Sequence, residues 1–162
     1  MTDPVHQEAL ALADDQTVEQ ILQEVCRMTG MGFAAVARVT EDRWIACQVL
    51  DKIEFGLEPG DELEVATTIC NDIRKTTTMV VIDDAGEDEA WRTHHTPKLY
   101  GFKSYISVPV MLPDGSFFGT LCAIDPNHRE LRGSAAVAVM QDFAARIADI
   151  VARGQGALRR AG

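Results

Sequence analysis

"YGFKSYISVPVMLPDGSFFGTLCAIDP" (residues 100–126) is the stretch that decides the fold. In "SYISVPV" (104–110), Ile106, Val108 and Val110 alternate with Tyr105, Ser107 and Pro109, and alternation sends the two sets to opposite faces of a strand. "LPDGS" places proline and glycine where a tight turn wants them. "FFGTLCAID" (117–125) is then the returning strand of a hairpin. Pro109 has no N–H to donate to a ladder, so its nitrogen is expected to face an edge or a bulge. Simple alternation also puts Cys122 on one face with Phe118, Thr120 and Ile124, as core or as pocket wall.

The flanking segments give the rest of the architecture. After the hairpin, Met140, Phe143, Ala144, Ile147 and Val151 form a helical stripe, widened by Ala136, Val139 and Ile150, which predicts a long helix over 134–153. Before it, "MVVID" (79–83) reads as a buried strand, and 84–101 as a long connection holding one or two short helical turns. "TTICNDIRKT" (67–76) reads as a short helix with Ile69 and Ile73 on one face. Residues 51–65, broken by Gly56, Pro59 and Gly60, are irregular. "FAAVARV" (33–39) and "WIACQVL" (44–50) form a strand pair joined by a short turn. Thr17-x-x-Gln20 has the pattern of a capping box, Val18, Ile21, Leu22 and Val25 follow at helical spacing, and Gly30 is the natural stop. Residues 1–16 read as a flexible N-terminal segment and 154–162 as a polar tail or linker to an effector. Hairpins dominate and no β-α-β series recurs, so the fold class is α+β, one antiparallel sheet with helices on a face.

Composition narrows the function. A chain of 162 residues with 46% hydrophobic content supports one domain with a proper core. No apolar run of about 18 residues exists to span a membrane. The start "MTDPVHQEALALADD" has neither the basic region nor the apolar core of a secretory signal, so a cytoplasmic location is expected. The formal net charge of -10 disfavours nucleic acid as a partner. Cys26, Cys47, Cys70 and Cys122 make no C-x-x-C pair and read as reduced, mostly buried thiols. His6, His94, His95 and His128 show no metal-ligand spacing. "DDAGEDE" (83–89) lacks the spacing of a calcium loop and reads as a solvated acidic turn, with Asp83 expected to cap the turn after its strand.

"VVIDDAGEDEAW", "YGFKSYISVPV", "PDGSFFGTLCAID" and a terminal amphipathic helix, in that order and spacing, resemble a GAF domain, the PAS-like small-molecule sensor, as found in bacterial sensor histidine kinases and cyclases. The shared pieces are G-[FI]-x-S, V-P-[VIL], D-G-x-x-x-G-x-L and a closing Asp, and the match runs over roughly residues 17–153. The resemblance implies about six antiparallel strands, terminal helices together on one face and a ligand cavity on the other. It also implies a homodimer formed through those helices and a signal passed to an effector such as a histidine kinase in a two-component system. Three departures matter. No Cys-His dipeptide follows the long connection, as covalent bilin attachment would need. The N-K-x-n-F-x-x-x-D-E pattern of cyclic-nucleotide-binding members is missing. The cysteine trio of the methionine sulfoxide reductases is incomplete, because Asp83–Gly101 contains no cysteine. No cofactor is named by the sequence.

The residues expected to contact a small-molecule ligand are Trp44, Cys70, Trp91, His95, Tyr100, Tyr105 and Ser107, with Phe102 nearby. Tryptophan and tyrosine offer an apolar body and a polar tip, which suits a pocket; the alternative for each is ordinary core. Cys70 falls in the first turn of its helix, where backbone N–H groups favour a thiolate. His94-His95 is the candidate for metal or haem, though adjacent histidines on an extended segment point apart, and a solvated loop is the alternative. Two other functions compete with a non-catalytic sensor. One is a redox sensor or reductase-like enzyme using Cys70 with Cys47 or Cys122. The other is a ligand-free dimerisation module.

Overall fold

The computed structural model describes residues 3–88, 91 and 101–161, with side chains through residue 154. Helix α1 (Pro4–Leu10) starts where the Asp3 carboxylate accepts the His6 N–H and proline occupies the first turn. This segment was expected to be flexible; its Ala9 and the following Leu12 are instead buried. Helix α2 (Gln16–Thr29) is capped by Asp15, whose Oδ1 accepts the Val18 N–H at 3.0 Å. Thr17 therefore lies inside the first turn and is not the cap. Gly30 closes α2 at φ 74°, a conformation glycine adopts without cost from a Cβ.

The strands are β1 (Phe33–Val39), β2 (Trp44–Asp51), β3 (Glu62–Leu63), β4 (Val80–Ile82), β5 (Ser104–Met111) and β6 (Phe117–Asp125). A 3₁₀ turn at Val65–Thr67 leads into α3 (Ile69–Thr76), and α4 (Ala135–Ala161) ends the chain. The six strands form one sheet in the order β3-β2-β1-β6-β5-β4, every neighbouring pair antiparallel. The α+β class and the sheet expected from the resemblance are what the structure shows.

Alternation sorts the side chains into two cores. On one face α1, α2 and α4 cover Ile45, Ile106, Val108 and Leu121 with Leu22, Val25, Met140 and Ile147. Each fully buried aliphatic there contributes about 1.5–3 kcal/mol relative to exposure. On the other face α3, the 51–57 loop and residues around 102 cover Phe33, Tyr105, Cys122 and Ile124.

Two bulges change which residues face which core. Val36 pairs with Gln48 and Ala37 with Ala46, so Cys47 has no opposite residue on β1. Gln48 is thereby turned toward the helices, where its Nε2 donates to the Leu12 and Asp15 carbonyls at 2.8 and 3.1 Å. On β6, Gly119 pairs with Val110 and Phe117 with Met111, leaving Phe118 as the extra residue. Phe118 packs with the helix-side core, contrary to the alternation that placed it beside Cys122. Gly119 is required here by close approach: a Cβ would stand 1.8 Å from the Ala37 carbonyl oxygen. The β4 ladder ends at Ser107, so Pro109 lies beyond it.

Two carboxylates fasten the return from sheet to α4. Asp83 Oδ1 accepts the Leu131 and Arg132 N–H groups at 2.9 and 3.0 Å, a long-range role in place of the local cap expected. Asp125, buried at the end of β6, accepts from the Gly32 and Asn127 N–H groups, both at 2.9 Å. Among the described residues no helix is long and apolar enough to cross a membrane. The short helical turns expected within 84–101 fall largely outside the described residues.

Candidate functional site

The face of the sheet away from α4 carries a partly open cavity of about 50 Å³. Its floor comes from Phe33, Trp44, Tyr105, Cys122 and Ile124 on β1, β2, β5 and β6; its walls come from Thr68, Ile69 and Cys70 at the start of α3 and from Phe55, Leu57, Leu63 and Phe102. Phe55, Leu57, Leu63, Phe102 and Ile124 also line a wider outer recess of about 480 Å³, which takes in Glu54, Gly56, Gly101 and Pro126. The inner chamber holds a few water-sized groups, well below the ~300 Å³ of a drug-sized site.

Asp51 shapes the loop that brings Phe55 and Leu57 over the chamber. Its carboxylate accepts the Ile53, Phe55 and Gly56 N–H groups at 3.1, 3.0 and 2.8 Å. Burial works against its charge, yet the backbone donors of Gly56, Phe55, Ile53 and Glu54 hold the carboxyl below the usual range. Glu54 takes a left-handed conformation, φ 57°, within this loop. Phe33 and Phe55 rings meet at 4.9 Å, and Phe102 stacks on Tyr105 at 5.2 Å.

Polar atoms gather at the inner end. Cys70 Sγ lies 3.2 Å from Thr120 Oγ1 and 3.5 Å from the Tyr105 hydroxyl. Hydrogen bonding from Cys122, and then from Thr120 and Tyr105, holds the Cys70 thiol below the ordinary thiol range against the opposing effect of burial. Cys122 is pushed up, first by its hydrogen bond with Cys70 and then by burial. Tyr105 is raised chiefly by burial, with the two thiols adding to the effect. Trp44 Nε1 and Ser107 Oγ are buried without a geometrically sound hydrogen-bond partner. A buried donor left unmade costs about 1–3 kcal/mol, so Trp44 presents an unmet demand to the chamber.

Of the residues expected at a ligand site, the structure brings Trp44, Cys70 and Tyr105 together around the chamber. Ser107 sits fully buried on the cavity-side face without lining the space, and Trp91 is half-buried against the same core. His95 and Tyr100, with His94, lie outside the described residues. Phe55, Leu57 and Leu63 were missed as site residues; Thr120 and Cys122, expected on one face as core or pocket wall, share it, whereas the bulge takes Phe118 to the other. Cys47 belongs to the helix-side core, where burial pushes its thiol up to about 12. No group of three metal-ligating side chains occurs among the described residues.

A GAF domain family model matches residues 15–151. The GAF domain of an Acinetobacter phosphoenolpyruvate-protein phosphotransferase superimposes with TM-score 0.67 at 12% identity, covering 98% of this chain and 99% of that one. The GAF domain of a Bacillus halodurans two-component sensor histidine kinase gives TM-score 0.67 at 9% identity, covering 89% and 97%. The type II free methionine-R-sulfoxide reductase of Thermoplasma acidophilum gives 0.64 at 11% identity, covering 91% and 94%. At these identities the likeness is one of fold, and no curated protein matches the chain. The matched span takes in the whole sheet, α2, α3 and most of α4, and by it the chain belongs to the GAF domain family.

Proposed function

We propose that this domain is a cytoplasmic, non-catalytic sensory module that binds a small molecule in the chamber and relays its presence through the terminal helices to a signalling effector such as a histidine kinase. The observation that carries this reading is the unpartnered Trp44 Nε1–H, buried beside Cys70, Tyr105 and Thr120 in an otherwise apolar hollow. Such a site favours a compact, weakly polar ligand whose acceptor meets the indole. The ligand would enter by way of the outer recess and order the 51–57 loop above it. Strands β1, β5 and β6 carry the chamber on one face and α2 and α4 on the other, so a shift in their packing bears on both. Relay requires that the ligand prefer one of two helix arrangements. Residues 17–153 form the sensing unit in this reading, α4 beyond them leads to the effector, and two copies pair through their terminal helices.

The test is native mass spectrometry of freshly purified protein, with an absorption spectrum beside it. A retained small mass, absent from the Trp44→Phe variant, is the expected result. Bare mass in the wild type, together with no rise in Tm across amino acids, nucleobases and short aromatic or aliphatic acids, would point to a ligand-free dimerisation module.

A further inference from the structure

Cys70 and Cys122 come from distant parts of the chain, the start of α3 and the middle of β6, yet both line the chamber, and Thr120, two residues before Cys122 on β6, sets its hydroxyl 3.2 Å from Cys70 Sγ. The other two cysteines lie elsewhere: Cys26 and Cys47 are in the helix-side core. Around Cys70 stand the Thr120 hydroxyl at 3.2 Å, the Tyr105 hydroxyl at 3.5 Å and the indole N–H of Trp44, itself without a sound acceptor. Either atom can donate in the two hydroxyl contacts, so both hydroxyls can serve a thiolate or the oxygen of an approaching oxidant as donors.

We propose that Cys70 and Cys122 form a reversible two-electron redox centre that is oxidised to a disulfide by a small hydroperoxide entering the chamber. The Cys70 thiolate attacks the distal peroxide oxygen. The O–O bond breaks, Cys70 becomes a sulfenic acid, and the alkoxide or hydroxide leaves as ROH with the proton the thiol gave up. Cys122 then attacks the Cys70 sulfur, the S–S bond forms, and the sulfenic hydroxyl departs as water with the Cys122 proton. Two thiols and one hydroperoxide give one disulfide, one ROH and one water. Thr120, Tyr105 and Trp44 hold the thiolate and the departing oxygen. The disulfide would tie α3 to β6 and remove the Cys70 thiol that meets Thr120 and Tyr105, so the chamber's oxidised and reduced forms differ in shape and in hydrogen bonding. A chamber of about 50 Å³ selects hydrogen peroxide over bulky organic hydroperoxides.

The proposal rests on the chamber being the input site, but it fails separately from ligand binding, because native mass spectrometry of the fully reduced protein reads a retained molecule whatever the thiols do. The experiment treats reduced, full-length wild-type protein with hydrogen peroxide and, in parallel, cumene hydroperoxide, then blocks free thiols in denaturant and maps the peptides. The expected result is a fall from four reactive thiols to two, a Cys70–Cys122 linked peptide, recovery of all four with dithiothreitol, and faster reaction with hydrogen peroxide. Cys122→Ser should leave a sulfenic acid on Cys70 that dimedone traps. A thiol count that stays at four, a disulfide joining any other pair, or oxidation only to sulfinic or sulfonic acid would overturn the proposal.

Discussion

The two faces of the sheet are built from the same strands and do opposite things. Toward α2 and α4, Leu121, Ile106, Val108 and Met140 close into a core with apolar atoms on every side. Toward α3, the alternate residues Tyr105, Cys122 and Ile124 leave a hollow, with polar atoms clustered at its inner end and one donor without an acceptor. Protein interiors ordinarily fill such space to the density of organic crystals. Here the face stays unfilled and sets an unmet indole N–H and two thiols against the gap, which supports the proposed ligand site. The comparison teaches that the helix face holds the sheet together and the chamber face is free to specialise.

Adjacent residues of β6 test this most strongly. Leu121→Ala, on the helix face, should lower unfolding free energy by about 2–5 kcal/mol. Cys122→Ala, one residue on but facing the hollow, should cost nearer 1 kcal/mol. Denaturant midpoints measure both, and equal losses would erase the distinction between the faces. Gly119→Ala tests the bulge that separates them. Its Cβ would meet the Ala37 backbone, and overpacking of about 1–3 kcal/mol or more should follow. A neutral result would show that β1 and β6 separate easily.

A pH series addresses the chamber alone. Because the folded-state pKa of Cys70 lies below its ordinary value of 9.0, deprotonation favours the folded form. Relative to Cys70→Ser, the wild type should therefore gain stability as pH rises toward about 9, and lose that gain as pH falls through the folded pKa. Thermal melts across this range supply the sign, and a wild type that loses ground on alkalinisation would contradict the hydrogen-bonding picture. The smallest effect on stability belongs to Trp44→Phe. Removing an unsatisfied donor while keeping an aromatic ring should shift unfolding free energy by under about 1 kcal/mol, even as it abolishes ligand retention.

Much of this was legible in the sequence because period and punctuation are local. The spans read for β1 and β6, 33–39 and 117–125, are those observed, and Gly30 ends α2. The bulges were not legible, because an inserted residue leaves the apolar run intact while reversing which face Phe118 and Gln48 take. Helix α1 was not predicted because only Ala9, with Val5 partly buried beside it, faces the core, too short a stripe to show periodicity. The chamber divides the same way. Trp44, Cys70 and Tyr105 stood out by residue type. The Phe55–Leu57 segment did not, because an irregular stretch held by Asp51 gains its position only from tertiary contacts. Proximity to a helix start pointed to an acidified Cys70, whereas Cys122, Thr120 and Tyr105, from the facing strands, hold its thiol below the ordinary range.

The most direct measurement follows the indole N–H resonances of ¹⁵N-labelled protein, of which two tryptophans give only two, during titration with the small-molecule filtrate of a cell lysate. The account expects the Trp44 signal to move downfield as its proton gains an acceptor, with the largest backbone changes at Cys70, Tyr105 and Thr120. A Trp44 signal that stays fixed while resonances of α2 and α4 respond would place the input on the helix face and contradict the account.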